Sequence, residues 1–513
     1  MWKRPVALLT SLALTIGCGP TVMTPRLHEP SHPPVSGSSP GPLKVHLRSG
    51  ELLILDSWRV LADGQTLEGQ GTRYTLLREP RAKGPVSVAV EDIALLETDD
   101  KKRVSSGAMG ALVGLTLVFG TLSGICLADP KSCFGSCPTF YVEGDSERPR
   151  AEGFSSSIAR TLQARDLDLL SGARPRGGRF DLWMRNEALE THAVRRVRLL
   201  SVRRPDGGRV FATRDGELRP LRQLASPASC RGPEGDCARE IARDDGLERR
   251  SLADREDLAA REELLLSFPE APARAGIVIR ARQSLMTTFL FYQTLAYMGE
   301  SAGDWLAAAE GGGPAGAQAL LGMGRVLGGI EVAVGDPEGG WRTVGSFDEA
   351  GPIAGDTQVF PLPERPSSGS LQVRLRMAKG HWRVDRVALG ELGAPVQARA
   401  LPPVAVEREG RPDPAALAAL LGEGRHLVTL PGDAYRLSFS LPEDADRSEL
   451  FLESEGYYYE WMRAEWMREE DPAMVSLIIH RPEEALRRLA APFKAQEARA
   501  EQTFWSSRFG RSP

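Results

Sequence analysis

Short stretches in which apolar and polar residues alternate recur along most of this chain, and that period of two constrains its fold more than any other feature. Successive side chains of an extended strand point to opposite faces, so such alternation marks a strand with one buried face. The densest group lies in residues 328–391, where GGIEVAV, GWRTVGSF, DTQVFPL, LQVRLRMA and WRVDRVALGEL follow one another with Gly and Pro turns between them. Strands this short and this closely spaced predict an antiparallel β-sandwich over residues 326–395. Upstream, LKVHLRSGELLIL and PVSVAVEDIALLET, with a hairpin expected around Gly69 and Gly71, predict a small β module at residues 43–99. GRFDLWMRNE and HAVRRVRLLSVRR predict long strands in a β-rich domain over residues 129–325, and the run from Arg204 to Gly208 predicts another hairpin.

Helical patterns interrupt the strands. Residues 156–170, 284–310, 414–421 and 483–504 read as helices, the second stopped by Gly311-Gly312-Gly313-Pro314. Residues 227–260 are charged and read as an excursion from the sheet, and residues 396–513 as a mixed strand and helical region. A chain of 513 residues is too long for one hydrophobic core. The expected class is therefore α+β, β-rich and multidomain, with antiparallel sandwich-like domains and helical excursions.

Residues 104–128 break the pattern: they carry no charge, follow Lys101-Lys102-Arg103, and space Gly110, Gly114, Gly120 and Gly124 so that backbones can approach closely. Their length would suffice to span a bilayer. A span would leave the three basic residues on the external side, against the positive-inside rule, and would carry the later cysteines into a reducing compartment. The expectation is a Gly-rich apolar helix that packs in protein or rests on the membrane surface.

The N-terminus supplies the compartment. Lys3 and Arg4 precede a short apolar run, and Leu14-Thr15-Ile16-Gly17-Cys18 resembles the lipobox of bacterial lipoproteins. That resemblance implies a signal peptide over residues 1–18 and a lipid on Cys18. Gly19, rather than Asp, after the cysteine points to the outer membrane, facing the periplasm. Residues 19–42, rich in Pro, Ser and Gly, read as a flexible tether. In an oxidising compartment Cys230 and Cys237, bracketing RGPEGD, are expected to form a disulfide, and Cys133 and Cys137 could pair likewise. A zinc site would need four ligands, and no His stands near either pair in sequence, so no metal is expected.

Several motifs invite a catalytic reading. Gly299-Glu300-Ser301-Ala302-Gly303 matches the nucleophile elbow of esterases, which would make Ser301 a nucleophile. The preceding MTTFLFYQTLAYM reads as helix where that chemistry needs a strand, and no HGGG-type loop lies upstream, so Ser301 is expected to be structural. The histidines form no H-E-x-x-H pair, and no P-loop or dinucleotide fingerprint occurs, so no cofactor is expected. With 64 basic against 68 acidic residues and no basic stripe bearing aromatics, nucleic acid is not an expected partner. Two clusters stand as binding candidates. Asn186, Glu187, Glu190 and His192 read either as a ligand site or as a solvated turn; Tyr457, Tyr458, Tyr459 and Trp461 read either as a binding surface or as packing.

CFGSCPTFYV, taken with NEALET, GHWRVD and GYYYEWM, resembles uncharacterised bacterial envelope lipoproteins over residues 131–467. The resemblance implies no activity, substrate or catalytic residue. The expected function is that of a lipid-anchored, non-enzymatic binding or assembly component, its partners the membrane and an envelope protein or glycan. The alternatives are a serine hydrolase using Ser301 and a carbohydrate-binding protein using the sandwich at residues 341–392.

Overall fold

In a computed structural model of the chain, the described residues are 21–28, 30, 32–37, 42–47, 51–74, 80–103, 137–144, 148–158, 160–173, 178–187, 190–299, 322–336, 338–348, 350–422, 426–429, 432–460 and 469–506. The chain divides into two units: Met1–Ala128 with Leu295–Ala307 and Met462–Pro472, and the remainder.

The first unit holds a six-stranded antiparallel sheet in the order Thr21–His28, Ile93–Arg103, Leu43–Leu47, Leu52–Val60, Thr66–Tyr74, Pro80–Ala89. Alternation builds its core. Leu43, Val45 and Leu47 point inward and meet Leu53, Leu55 and Leu96, with Leu43 opposite Leu55 and Val45 opposite Leu53. Two expectations are corrected here. The tether begins as a strand: Thr21–His28 pairs along its whole length with Ile93–Arg103, so Lys101, Lys102 and Arg103 belong to the sheet. An edge strand needs only backbone pairing on one side, so it can form without the hydrophobic alternation that sequence reading looks for. Gly69 and Gly71 also mark no turn; both lie inside Thr66–Tyr74, where a Cβ on Gly71 would stand 2.0 Å from the Ile54 carbonyl oxygen. Glycine there permits a close approach of two backbones.

The second unit is a stack of four sheets with a hydrophobic core between each neighbouring pair. The first sheet runs Arg411–Pro412, Pro403–Arg408, Ala434–Ser440, Arg179–Arg185, Thr139–Val142, Ala151–Glu152. The second runs Arg399–Leu401, Glu190–Arg203, Ser448–Glu460, Ala164–Leu169, with Leu427–Thr429 also pairing to Glu190–Arg203. The third runs Leu218–Ala225, Gly208–Ala212, Asp356–Pro361, Ala275–Gln283, Trp382–Leu392, Arg249–Arg250, and the fourth Gly235–Asp236, Ser229–Gly232, Arg261–Ala271, Gly369–Ala378, Ile330–Gly335, Trp341–Phe347. Among the described strands every pairing is antiparallel except that of Gly208–Ala212 with Asp356–Pro361.

Interior sheets of such a stack are apolar on both faces, and consecutive side chains serve different cores. Leu199 and Leu452 enter the first core while their neighbours Leu200 and Phe451 enter the second. Val278 belongs to the second core, and Ile277 and Ile279 to the third. Each fully buried aliphatic or aromatic side chain of this kind contributes about 1.5–3 kcal/mol. All five strands expected in residues 328–391 are present, but they are divided: three lie in the fourth sheet and two in the third. Strands from residues 208–283 complete both sheets.

The helices are Met286–Met298, Gly322–Leu327, Pro414–Leu420, Pro472–His480 and Pro482–Ser506 among the described residues. Asp413 caps Pro414–Leu420, its side chain accepting from the Ala416 N–H, with Pro414 at the first helical position. The helix expected at residues 156–170 does not form. A short 3-10 turn at Arg160–Leu162 leads instead into the strand Ala164–Leu169. No described helix is long and apolar enough to cross a membrane. The Gly-rich apolar segment at residues 104–128 lies outside the described residues, as do Cys18, Cys133, Ser301 and Trp461.

Candidate functional site

The strand that replaces the expected helix carries the most unusual chemistry in the chain. Ala164–Leu169 is the edge of the second sheet and pairs with Ser448–Glu460, setting Asp166 opposite Ser454 and Asp168 opposite Leu452. The period of two then sorts its side chains. Leu169 enters the second core, Arg165 on the same face pairs with Glu453 at 2.7 Å, and Asp166 and Asp168 share the other face. Asp356 arrives from the neighbouring sheet at the start of Asp356–Pro361. Between them is a cleft of about 560 Å³, walled by five aspartates (Asp166, Asp168, Asp215, Asp348, Asp356) and two arginines (Arg165, Arg214). Arg214 pairs with Asp348 at 2.6 Å, and Arg165 turns to Glu453, which it shares with Arg196 and Arg198.

The hydrogen bonds distinguish the three inner carboxylates. Asp166 is satisfied on both oxygens by backbone amides, Oδ2 accepting from Phe154 at 2.8 Å and Oδ1 from Leu167 at 2.9 Å. Asp356 accepts from Thr357 N at 2.5 Å and from Gln358 Nε2 at 2.9 Å. Asp168 is only 6% exposed, and its Oδ2 has no hydrogen-bond partner. A buried unpartnered carboxylate oxygen is costly, and its usual response is to hold a proton. Burial, reinforced by the charges of Asp166, Asp356 and Glu152, raises Asp168 well above the usual carboxylate range. Burial also pushes Asp166 up to about 6, with Asp356 adding to it, and raises Asp356 against the pull of Gln358, Thr357 and Arg280.

One cation reaches this group. Arg280 donates to Thr357 Oγ1 at 3.1 Å, and its Nε lies 3.1 Å from Asp244 and 3.3 Å from Asp385. Burial works to raise Asp244, but Arg280 and the Ser171 hydroxyl hold it below the usual range; Asp385 is pushed up to about 6 by burial despite Arg280. Arg386 also acts on Asp244 and Asp385, and Arg209 on Asp244, but of these guanidinium groups only Arg280 acts on Asp168 and Asp356. Two backbone features hold the surroundings in place. Phe154, buried and non-glycine, adopts φ 43° and so aims its N–H at Asp166, a conformation costly for a bulky residue. Gly351, at φ 74°, would bring a Cβ within 2.5 Å of the Glu152 carboxylate, whose Oε2 accepts from Ile353 N at 2.8 Å.

No group of three His, Cys, Asp or Glu side chains among the described residues converges as metal ligands do. A divalent cation would need several oxygens turned toward one point, and Asp166 and Asp356 are turned toward neutral N–H donors instead. The same donors occupy the oxygens of Asp166 and Asp356, while Asp168 Oδ2 has none. A second, more open hollow of about 510 Å³ is lined by Arg231, Arg261 and Arg376 with Glu262 and Glu263. Arg261 there is spent on the Leu327 and Val326 carbonyls, and Glu262 on Arg249.

The residues singled out from sequence gather elsewhere. His192 pairs across the strands with Tyr458 and with Thr429, and Thr191 with Tyr459. His192 and Glu190 are both buried, with Nε2 2.9 Å from Glu190 Oε2, and Asn186 Nδ2 donates to the Glu190 carbonyl at 2.9 Å. The solvated-turn alternative for this run is therefore corrected: it is a buried polar junction. Glu187 accepts from Thr139 Oγ1 at 2.8 Å and Tyr141 Oη at 2.7 Å, so CPTFYV and NEALET meet through side chains. Tyr457, Tyr458 and Tyr459 are buried; Tyr457 and Tyr459 stack edge-on at 5.4 Å, and Tyr458 Oη donates to the Ser155 carbonyl at 3.1 Å. They pack rather than present a platform. Trp341, at the sandwich expected to bind sugar, is 38% exposed with Arg374 lying 5.1 Å over its ring.

Cys230 and Cys237 form the expected disulfide, both buried in the third core, and Cys137 is buried in the first. The run before Ser301 is the helix Met286–Met298, in keeping with the sequence. Asp166, Asp168 and Asp356 were not singled out by sequence reasoning. The signal available was the alternation in ARDLDL, with Leu at one parity and Asp at the other, and the helical reading of residues 156–170 concealed it.

No protein-family model matches the chain, and no curated protein matches it. Among solved structures, one match is "Structure of infectious bursal disease virus Gx strain", at 8% identity over 90% of this chain and 86% of that one, with a TM-score of 0.13. A score that low carries no argument about fold or function.

Proposed function

We propose that this chain is an exported, lipid-anchored component of the cell envelope, held at the outer membrane through Cys18 and facing the periplasm, that binds a ligand rather than transforming one. The aspartate cleft is the ligand's seat. The observation that carries the reading is Asp168: a buried carboxylate whose Oδ2 has no partner and which forms part of the wall of a cleft of about 560 Å³. Buried polar groups are almost always satisfied, and an orphan beside a cavity is the expected signature of a group that a ligand completes. The Cys230–Cys237 disulfide fits an oxidising compartment, which supports export.

Two measurements test the reading. Cys18→Ser should move the protein from the membrane fraction to the soluble fraction; full retention would refute the anchor. Native mass spectrometry of protein purified from solubilised envelope should reveal a bound mass in the wild type that Asp168→Leu, which fills the cleft wall with an apolar side chain, no longer carries. Equal spectra for a folded Asp168→Leu and the wild type would refute the cleft as the seat.

A further inference from the structure

We propose that the ligand of this cleft presents a cationic nitrogen, an ammonium or guanidinium group, that seats beside the carboxylates of Asp166, Asp168 and Asp356. The inference deepens the binding reading above and rests on it. It begins with charge balance in the cleft: of five aspartates, one is matched by Arg214, while Arg165 turns to the other face of its strand, where it shares Glu453 with Arg196 and Arg198. Asp166, Asp168 and Asp356 are left with neutral N–H donors or none. Facing Asp168 are Asp166 on its own strand, Asp356 from the neighbouring sheet, Glu152 from Ala151–Glu152, and Arg280 from Ala275–Gln283. Arg280 is in turn drawn toward Asp244 and Asp385. The missing element is one positive charge on the cleft side of Asp168.

The chemistry of the donors selects the kind of cation. A metal ion would demand several converging oxygens, which the described residues do not supply. An organic cation needs only one or two carboxylate oxygens and can direct its remaining N–H groups to hydroxyls and carbonyls. Ser155, Ser156, Thr213 and Gln358 stand in the same walls, and Gln358 Oε1 is itself without a hydrogen-bond partner. A neutral polyol would fill the volume but leave the buried carboxylates as short of positive charge as before.

A consequence follows for proton linkage. The cation and the proton compete for the same carboxylate group, so binding releases protons to buffer wherever the cluster is partly protonated, and affinity falls on acidification. With Asp166 titrating at about 6, lowering the pH from about 7.5 to about 5 should weaken binding roughly tenfold.

The test is calorimetric titration of the full chain in detergent with agmatine (which carries both cationic groups), with calcium chloride and with maltotriose. Each is run at both pH values and in two buffers of different ionisation enthalpy. A probe of agmatine's size that makes one buried charge pair should reach about millimolar affinity. Expected are agmatine binding with proton release, roughly tenfold weaker binding at the lower pH, and at least about a tenfold loss in both Asp168→Asn and Asp356→Asn. Two variants guard against one that misfolds, and each is checked by its circular dichroism spectrum. Binding of maltotriose without agmatine, or of calcium without agmatine, would overturn the cationic-nitrogen inference while the binding reading stood. Absence of binding by all three probes would overturn the inference. The binding reading would fall with it only if the envelope-purified protein also carried no mass that Asp168→Leu removes.

Discussion

Replacing Asp166 by Asn should change the sign of the protein's stability difference between acid and neutral pH. In the folded chain Asp166 titrates at about 6 against an ordinary value of 3.8, because burial and then the charge of Asp356 disfavour its ionised form. Below the unfolded value both states hold the proton and the shift has no effect on stability. Between the two values the folded state holds the proton and the unfolded state does not, so stability declines as pH rises. Above the folded value the full cost remains. A shift of about two units at about 1.4 kcal/mol per unit sets that cost at about 3 kcal/mol, an upper bound because Asp166 is only partly shielded from water. Asn cannot ionise, but it keeps one acceptor where the carboxylate had two, and so loses the bond from Phe154 N or Leu167 N at about 1 kcal/mol. Asp166→Asn should therefore be about 1 kcal/mol less stable than wild type near pH 3, about equal to it near pH 4.5 and up to about 2 kcal/mol more stable near pH 8. Urea unfolding followed by circular dichroism at these pH values gives the double difference, in which all unrelated titrations cancel. A variant-to-wild-type difference that stays constant across this range, or that moves the other way, would refute the assignment of Asp166 as a strained carboxylate.

Other perturbations separate structural charges from the cleft. Arg249 and Glu262 are both buried and joined at 2.7 Å, so Arg249→Ala should cost about 3–5 kcal/mol by stranding Glu262, while Arg249→Met with Glu262→Gln should cost much less, as read by urea midpoints. Reducing the Cys230–Cys237 bridge, or replacing both residues by Ser, should lower stability by about 2–3 kcal/mol, the loop entropy of so short a ring, with no effect on ligand binding. Gly351→Ala meets both an unfavourable φ of 74° and the Glu152 carboxylate 2.5 Å away; a loss of about 2 kcal/mol or more is expected, and a neutral result in the same assay would show that Glu152 can move aside.

How much of this was legible in the sequence depended on what each strand had on its two faces. Where one face is solvated, alternation is clean, and LQVRLRMA could be read as a strand from the sequence. Where a sheet is covered on both faces, as at Ile277, Val278 and Ile279, successive apolar residues enter different cores and the period disappears. The same double burial hid the sheet membership. Phe360 and Val359 are neighbours in one strand yet serve the third and second cores, and nothing in a single run of letters says which distant strand each will meet. The Thr21–His28 strand was missed for the opposite reason, since backbone pairing to Ile93–Arg103 needs no apolar pattern. At the buried junction, Asn186, Glu190 and His192 were legible as a polar concentration. Their burial was not, because it depends on Thr429 and Tyr458, far away in sequence.

The aspartate cleft was the hardest feature to read, and the reason bears on what it is for. A stack of sheets has little room for charge except at strand ends and edges, and Ala164–Leu169 is an edge strand. An edge tolerates carboxylates when they face water. Asp168 instead lines a cleft with its Oδ2 buried and unpartnered, beside Asp166 and Asp356 and a guanidinium that also pairs with two other acids. For stability alone, apolar residues of similar volume would serve better at such a place, since buried charges seldom recover their desolvation cost. Among the described residues, Arg249 with Glu262 and Arg282 with Glu248 show how this fold neutralises a buried charge when its only role is structural: each guanidinium grips its carboxylate through two hydrogen bonds. The inner carboxylates of the cleft lack that treatment. Their imbalance is local and opens onto a cavity of ligand size, so the simplest physical account is that the neutralising group arrives from outside the chain.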